Sequence, residues 1–409
     1  MTQGPLRIAM LCVHSCPIGR LGEKDTGGMS VHVRELAREL GKQGHTVDIY
    51  TRAHDPADSQ VIELSHNTRL IHIRAGDHGK MHKLMMYPHL GDFACGLESF
   101  RKHRGLHYDI VHSHYWLSGW VGGRVQQWWD IPHVTTFHTL GAVKNAVALD
   151  NDEPQLRIET EREVAMDCHR VIATSKKEEA ELMHHYQVPE EHIRIVPCGV
   201  NLDLFRLADR EAARRHLRLD GESIILFVGR IDPLKGIELL LTAMTHLQHR
   251  QKSRLLVVGG DDSSHPELQR LRGLCRSLNI QERVTFLGCV EQEELPHFYA
   301  AADVCVMPSL YESFGLVPLE SLACGTPVVT ARVGAVEDIV RDGETGYIVS
   351  DNDPILLAER ISLVLSNVEK HAARKGSTRE SIAKFDWGNV AGLLKQEYVS
   401  AIEDYADSH

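Results

Sequence analysis

The chain has 409 residues, 43% hydrophobic and 25% charged, the make-up of a globular protein too long for one ordinary core, so two domains are expected. Its 56 acidic residues against 45 basic ones leave a net charge of -11, which argues against the electropositive footprint of a nucleic-acid binder. No apolar run approaches a membrane span, and the nine cysteines are scattered without a Cys-x-x-Cys pair, so reduced thiols in a cytoplasm are expected rather than disulfides.

Taken from the N-terminus, MTQGPLRIAMLCVH is a strand pattern rather than a signal peptide. A helix is expected through VHVRELARELGKQ, closed by Gly44, followed by strands at TVDIYT and TRLIHIRA. One long helical stretch is expected from Lys83 to His103, then strands at DIVHSH, HVTTFHT and RVIATS. Ser175 and Glu178 form a capping box for a helix running to Tyr186. Alternation of strand and helix predicts a parallel sheet covered on both faces, with ligands outside the carboxyl ends of its strands. Pro197 and Gly199 interrupt the pattern, and an interdomain link is placed at about residues 197–206.

The same alternation then restarts. Strands are expected at ESIILFVGR, RLLVVGG, RVTFLG, VCVMPS and TPVVTA, with helices from Gly236 to Leu247 and through ELQRLRGLCRSL. A further helix opens at Phe314 and Gly315 and stops at Gly325. The unit ends near Ser366. A polar, basic stretch leads to a last helix with apolar positions Val390, Leu393, Leu394, Tyr398 and Ile402. Two doubly wound domains would make a cleft, the place for a two-substrate transferase.

SLYESFGLVPLESLACGTPVVT carries two glutamates, Glu312 and Glu320, bracketing the turn into the helix after VCVMP. The free N–H groups at that helix start, beside Gly315, can hold an anion while the carboxylates take ligand hydroxyls. Upstream, FVGRIDPLKG sets Arg230 and Lys235 on one short loop past a buried strand, Arg230 as a fork and Lys235 as a point charge for a diphosphate. In DTGGMSVHV, Gly27 and Gly28 permit close backbone approach to a phosphate. Each piece alone could be a solvated acid, a pair of surface bases or a plain turn; their order is what carries weight.

GR-x4-KG followed by Glu-x7-Glu and GTPVV resembles the retaining GT-B glycosyltransferases of family 4, which include the sucrose-phosphate synthases. The resemblance covers essentially the whole chain. It implies two Rossmann-like domains facing across a cleft, 1–198 for the acceptor and 199–385 for the nucleotide sugar, with helix 386–409 crossing back to the first. It also implies a hexosyltransferase whose donor is a UDP-sugar, held by Gly27, Gly28, Arg230, Lys235, Glu312, Phe314, Gly315, Leu316 and Glu320. His138 would contact the donor sugar near the reacting carbon, and His138, Arg230, Lys235 and Glu312 would be the catalytic set.

HSHYWLSG and HTLGAVKN are similar to the branch of this family that glycosylates inositol phosphate. In that branch a Lys, a Tyr, a Thr and an Arg hold the acceptor's phosphate, and the matching positions are Lys83, Tyr115, Thr139 and Arg157. Two cations and two hydroxyl donors suit a dianion. Ser30 stands where that branch has Asn against the inositol ring, which leaves the acceptor open, while GGM rather than GGQ separates the chain from most sucrose-phosphate synthases. Inositol phosphate is the first expectation and fructose 6-phosphate the second; a UDP-sugar epimerase or a non-catalytic nucleotide-sugar binder are the other classes. No metal site is expected: His112 and His114 share one face of a strand, without further ligands at a matching spacing. No cofactor is required, the UDP-sugar being a substrate, and Mg2+ is compatible without being implied; a homodimer is left open.

Overall fold

The protein is described by a computed structural model for residues 4–19, 27–77, 79, 81–147, 153–219, 221–247, 253–260 and 266–408. Its described residues divide into two compact units, one taking in residues 4–19, 28–198 and 387–408, the other Gly27 and residues 199–386.

The strands of the first unit are β1 (Arg7–Leu11), β2 (Thr46–Arg52), β3 (Val61–Ser65), β4 (Thr68–Ile73), β5 (Ile110–His114), β6 (His133–Thr136), β7 (Arg170–Ala173) and β8 (Ile193–Ile195). They form one sheet in the order β3-β4-β2-β1-β5-β6-β7-β8, parallel except for the β3–β4 hairpin. The centre is β1, where Ile8 through Leu11 are fully buried; helices on both faces require this unbroken apolar run. The second unit contributes β9 (Ser223–Val228), β10 (Ser253–Val258), β11 (Val284–Gly288), β12 (Val304–Met307), β13 (Val328–Ala331) and β14 (Gly346–Val349). Their order, β11-β10-β9-β12-β13-β14, is parallel throughout and is the doubly wound order with its reversal between β9 and β12. The α/β fold class expected from the sequence is the one observed.

Several local expectations are corrected. The stretch Lys83–His103 is not one helix: a turn of helix Lys83–Met86 and a tighter turn Tyr87–His89 precede the helix Leu90–His103. Pro88, which has no N–H and crowds the preceding turn, sits in the break. Ser175 Oγ does accept from Glu178 N–H at 3.1 Å, but Glu178 reaches past Ser175 to the N–H of Thr174, at 2.7 Å, so the reciprocal half of the capping box is displaced by one residue. The basic stretch before the last helix is itself helical, at Val368–Ala373 and Lys375–Ser381.

Strands β3 and β14 and the helices Trp116–Trp129 and Gln155–Asp167 were not foreseen. The first of these helices carries Gly119 and Gly122, where a Cβ would stand 2.6 Å from Val164 and 2.3 Å from the His133 ring, so close packing is gained against helix propensity. The second buries Arg157, Thr160 and Glu161 beside Val164 and Ala165, and a buried face built on charges leaves no apolar stripe to read.

The last helix, Trp387–Ser408, belongs to the first unit and packs on the helix Gly28–Lys42. Trp387, Val390, Ala391, Leu394, Tyr398 and Ala401 are buried, whereas Leu393, expected in the apolar face, is exposed. Tyr398 hydroxyl lies 2.6 Å from His112 Nδ1 on β5, and Arg170 of β7 pairs with Glu397 and Asp404.

Candidate functional site

In the second unit the loops after β9 and β12 leave the sheet at its switch point, where open α/β sheets bind ligands. β9 runs into Arg230, and Asp232 caps the turn Pro233–Lys235 by accepting from Leu234 N–H at 3.0 Å. Gly236 follows with φ +69°, and a Cβ there would stand 2.0 Å from the Pro308 carbonyl oxygen, so the β9 loop lies directly against the β12 loop. Leu310 N–H donates to Leu234 O at 2.8 Å across the same contact. This sets Lys235 Nζ 2.6 Å from Glu312 Oε1, an oxygen that also accepts from Ser309 Oγ at 3.0 Å. Arg230 is 40% exposed, its guanidinium 3.5 Å from the Asp232 carboxylate.

The helix Leu316–Ala323 starts at Gly315, φ +105°, with no side chain capping its first N–H groups. Phe314 is buried, and its carbonyl, accepting from Ala335 N–H at 2.9 Å, lies against Gly334 at φ +56°. Glu320, on the second turn of the helix, is 8% exposed. Burial pushes its carboxyl up to about 7, with the Tyr299 hydroxyl, donating to Oε2 at 2.7 Å, pulling the other way.

In the first unit the corresponding reversal lies between β1 and β5. Gly28 is the first residue of its helix, and an added Cβ at Gly27, which is grouped with the second unit, would meet nothing within 4 Å. Ser30 is fully buried, its Oγ 2.6 Å from Ser15 Oγ. Tyr115, directly after β5, has φ +77° and ψ 157°, a backbone region of glycine, and His138 has φ +62°. The other non-glycine residues with positive φ among those described lie at a hairpin turn or just past helices, which isolates these two as strained without a turn to explain it.

Arg157 is fully buried and joins the predicted acceptor residues. Its Nη2 donates to Thr139 O at 2.8 Å and Thr139 Oγ1 at 3.0 Å, its Nε to Glu161 at 2.7 Å, and its guanidinium carbon lies 4.9 Å from the centre of the Tyr115 ring. Burial disfavours the charged guanidinium, but Glu161, Tyr115 and Glu153 outweigh it and its pKa is raised. Lys83 reaches the cluster through Glu153 at 3.3 Å, the carboxylate that also pairs with Lys144 at 2.6 Å and with Arg157 Nη1 at 2.9 Å. Desolvation would raise the Glu153 carboxyl; Arg157, Lys144 and Lys83 together hold it down at about 2. The His14 ring lies tilted against Tyr115, their centres 4.3 Å apart, and is kept neutral with its pKa pushed down to about 3 by burial and then by Lys83 and Arg157.

Four histidines gather at the end of β5. His112 is bonded at both nitrogens, to Tyr398 and, at 3.0 Å, to Thr136 Oγ1, and is structural. His114 Nδ1 lies 2.9 Å from His138 Nε2, and with His32 they offer three nitrogens within 4.8 Å of one another. Sequence spacing hid this trio, because His32 and His138 come from different segments. Burial pushes His114 and His138 well below their ordinary range and His32 to about 4, so the set is neutral.

Comparison with known proteins gives these two units a family. A model of glycosyltransferase family 4 matches residues 26–204, and one of glycosyl transferases group 1 matches residues 209–381. The D-inositol 3-phosphate glycosyltransferase of a Mycobacterium species is 40% identical over 410 residues, covering 99% of this chain and 92% of that protein. The chain belongs to the family 4 glycosyltransferases. The sucrose-phosphate synthase of Thermosynechococcus elongatus superposes on this glycosyltransferase with a TM-score of 0.90 at 36% identity, covering 98% of this chain and all of that one. HepE of Anabaena in complex with UDP-glucose shares the fold alone, with a TM-score of 0.77 at 18% identity over 97% of this chain and all of HepE. The protein is thus a hexosyltransferase of the GT-B fold, and no helix among its described residues is long and apolar enough to cross a membrane.

In this glycosyltransferase the structure brings Lys235 to Glu312, and Arg157 to Thr139, Tyr115 and, through Glu153, Lys83. Lys144, Glu153, Glu161, His14 and Tyr299 were missed at the sequence level. The spacing Arg-x3-Glu of Arg157 and Glu161 was the available signal, since side chains four apart on a helix meet; Glu153 precedes that helix and lies outside the rule.

Proposed function

We propose that the enzyme moves glucose or N-acetylglucosamine from a UDP-sugar to a phosphorylated polyol or sugar, with inositol phosphate the first acceptor, and retains the anomeric configuration. The observation that carries this is the cluster in the first unit where Arg157 bonds to Thr139, lies against the Tyr115 ring and is tied to Lys83 through Glu153: cations and hydroxyls, in a partly dry setting, suit a phosphate dianion. The identity to inositol phosphate glycosyltransferases supports the same acceptor. Fructose 6-phosphate is the second reading, supported by the likeness to a sucrose-phosphate synthase and by Ser30 in place of an asparagine.

On the donor side the ribose hydroxyls of UDP bond to ionised Glu320, and its phosphates lie on Arg230, Lys235 and the uncapped helix start at Gly315 and Leu316, backed by Phe314. Gly27 and Gly28 let the backbone approach the diphosphate. Lys235 leaves Glu312 to meet the phosphate charge that grows as the sugar departs, and Glu312 turns to hydroxyls of the hexose. His138, neutral, contacts the sugar near the reacting carbon. The acceptor hydroxyl attacks from the face that the phosphate leaves, and the departing phosphate takes its proton. No residue acts as nucleophile, and no cofactor is required; the setting is a reducing cytoplasm, in keeping with free cysteines throughout the described residues.

The test is UDP release from UDP-glucose and UDP-N-acetylglucosamine, each with inositol 1-phosphate, inositol 3-phosphate, fructose 6-phosphate or none. Release that depends on one inositol phosphate is expected. Dependence on fructose 6-phosphate would favour the second reading, and release indifferent to every phosphorylated acceptor would overturn both.

A further inference from the structure

One carboxylate oxygen, Glu153 Oε1, stands at the focus of three cations drawn from three segments: Lys144 Nζ at 2.6 Å, Arg157 Nη1 at 2.9 Å and Lys83 Nζ at 3.3 Å. The backbone of Glu153 is clamped independently of that side chain. Its N–H donates to Asn145 Oδ1 at 2.6 Å, and its carbonyl accepts from Asn145 Nδ2 at 3.0 Å. The carboxylate can therefore rotate away while the main chain stays. Arg157 also signals an unfilled demand: Nε and Nη2 are bonded to Glu161 and Thr139, whereas buried Nη1, close as it is to Glu153, has no partner in hydrogen-bond geometry.

We propose that Glu153 is an internal counter-ion that fills the acceptor's phosphate site when no acceptor is bound and swings out as a phosphate enters, and that Lys144 is a further ligand of that phosphate. The proposal rests on the phosphorylated-acceptor reading above. Charge decides the order of events. With Glu153 in place, Lys83, Lys144 and Arg157 face two carboxylates, Glu153 and Glu161, so one positive charge is in excess. A dianion entering beside Glu153 would turn that excess negative; a dianion replacing Glu153 leaves the cluster neutral. A ligand with a single carboxylate only exchanges like for like, and a neutral polyol brings no charge to displace Glu153. The internal carboxylate thus sets a threshold that only a doubly charged group passes, which selects phosphorylated acceptors over carboxylated or unmodified ones.

The experiment uses the full chain and inorganic phosphate as the probe, titrated by calorimetry against wild type, Glu153→Gln, Lys144→Met, the Glu153→Gln/Lys144→Met double variant and Lys83→Met, with acetate as the singly charged control. Glu153→Gln is expected to bind phosphate about tenfold more tightly, which corresponds to a wild-type site open about a tenth of the time, and to gain measurable acetate binding. Lys144→Met should cancel the gain. Glu153→Asp, whose carboxylate retracts by one methylene, gives the same direction and serves if the glutamine variant does not fold. Unchanged or weaker phosphate binding in both Glu153 variants, while Lys83→Met still weakens it, would overturn the counter-ion and leave the phosphorylated-acceptor reading intact. Phosphate binding indifferent to Glu153, Lys144 and Lys83 alike would overturn both.

Discussion

Replacing Glu320 by Gln should make the protein more stable and less able to hold its nucleotide. Glu320 is 8% exposed, and burial lifts its carboxyl from an ordinary 4.5 to about 7. A carboxylate whose folded pKa is raised costs stability as the pH rises: none is lost below 4.5, and the full cost is reached above 7. At about 1.4 kcal/mol per pH unit, that interval amounts to about 3 kcal/mol at pH 8. Glutamine has nearly the same shape and keeps an oxygen for the Tyr299 hydroxyl, so most of that cost should disappear. For a unit of this size the gain corresponds to about 6–12 °C in Tm. Thermal unfolding followed at pH 5 and pH 8 should show the variant well ahead at pH 8 and nearly level at pH 5. Calorimetry should show UDP bound about 10- to 100-fold more weakly, the loss of hydrogen bonds to a charged group. A variant that melts at or below wild type at pH 8, or whose advantage does not shrink with acidity, would refute the argument.

Other perturbations follow from the same geometry. Lys235→Met should lower kcat by about a hundredfold or more, with a smaller effect on UDP affinity, since its charge matters most as the phosphate departs; near-normal turnover in steady-state assays would count against it. Arg157→Lys keeps a charge but cannot reach Thr139 and Glu161 together, so KM for the phosphorylated acceptor should rise about tenfold or more while KM for the donor stays. Tyr398→Phe leaves His112 Nδ1 unbonded in a dry interior and should cost about 1–3 kcal/mol in denaturant unfolding.

How far the sequence discloses this protein depends on what each segment buries. Strands such as β1, β9 and β12 are buried on both faces, so apolar runs such as Val304–Met307 name themselves. The helix holding Arg157 hides because its inner face carries Arg157, Thr160 and Glu161, and only their mutual pairing makes burial tolerable. The helix Trp116–Trp129 hides because glycines were kept for contact rather than for propensity. In the candidate site, Arg230, Lys235, Glu312 and Glu320 are legible because two short loops and one helix turn hold them in fixed order. Lys144 and Glu153 are not, for their meaning lies in a convergence of segments that no single stretch of chain contains. The histidine trio is hidden for the same reason.

The bond between His112 and Tyr398 joins residues 286 positions apart, and the helix carrying Tyr398 completes the interior of the half of the protein that is translated first. At about 5–20 residues per second, a ribosome needs roughly 15 to 60 s to travel from one partner to the other. For that time the eight-stranded sheet waits with the surface for Val390, Leu394 and Tyr398 uncovered, while the second unit is made and can fold in full. The order of synthesis and the order of completion are thus reversed. A stop codon in place of Trp387 would leave the later-made unit whole and maim the earlier one.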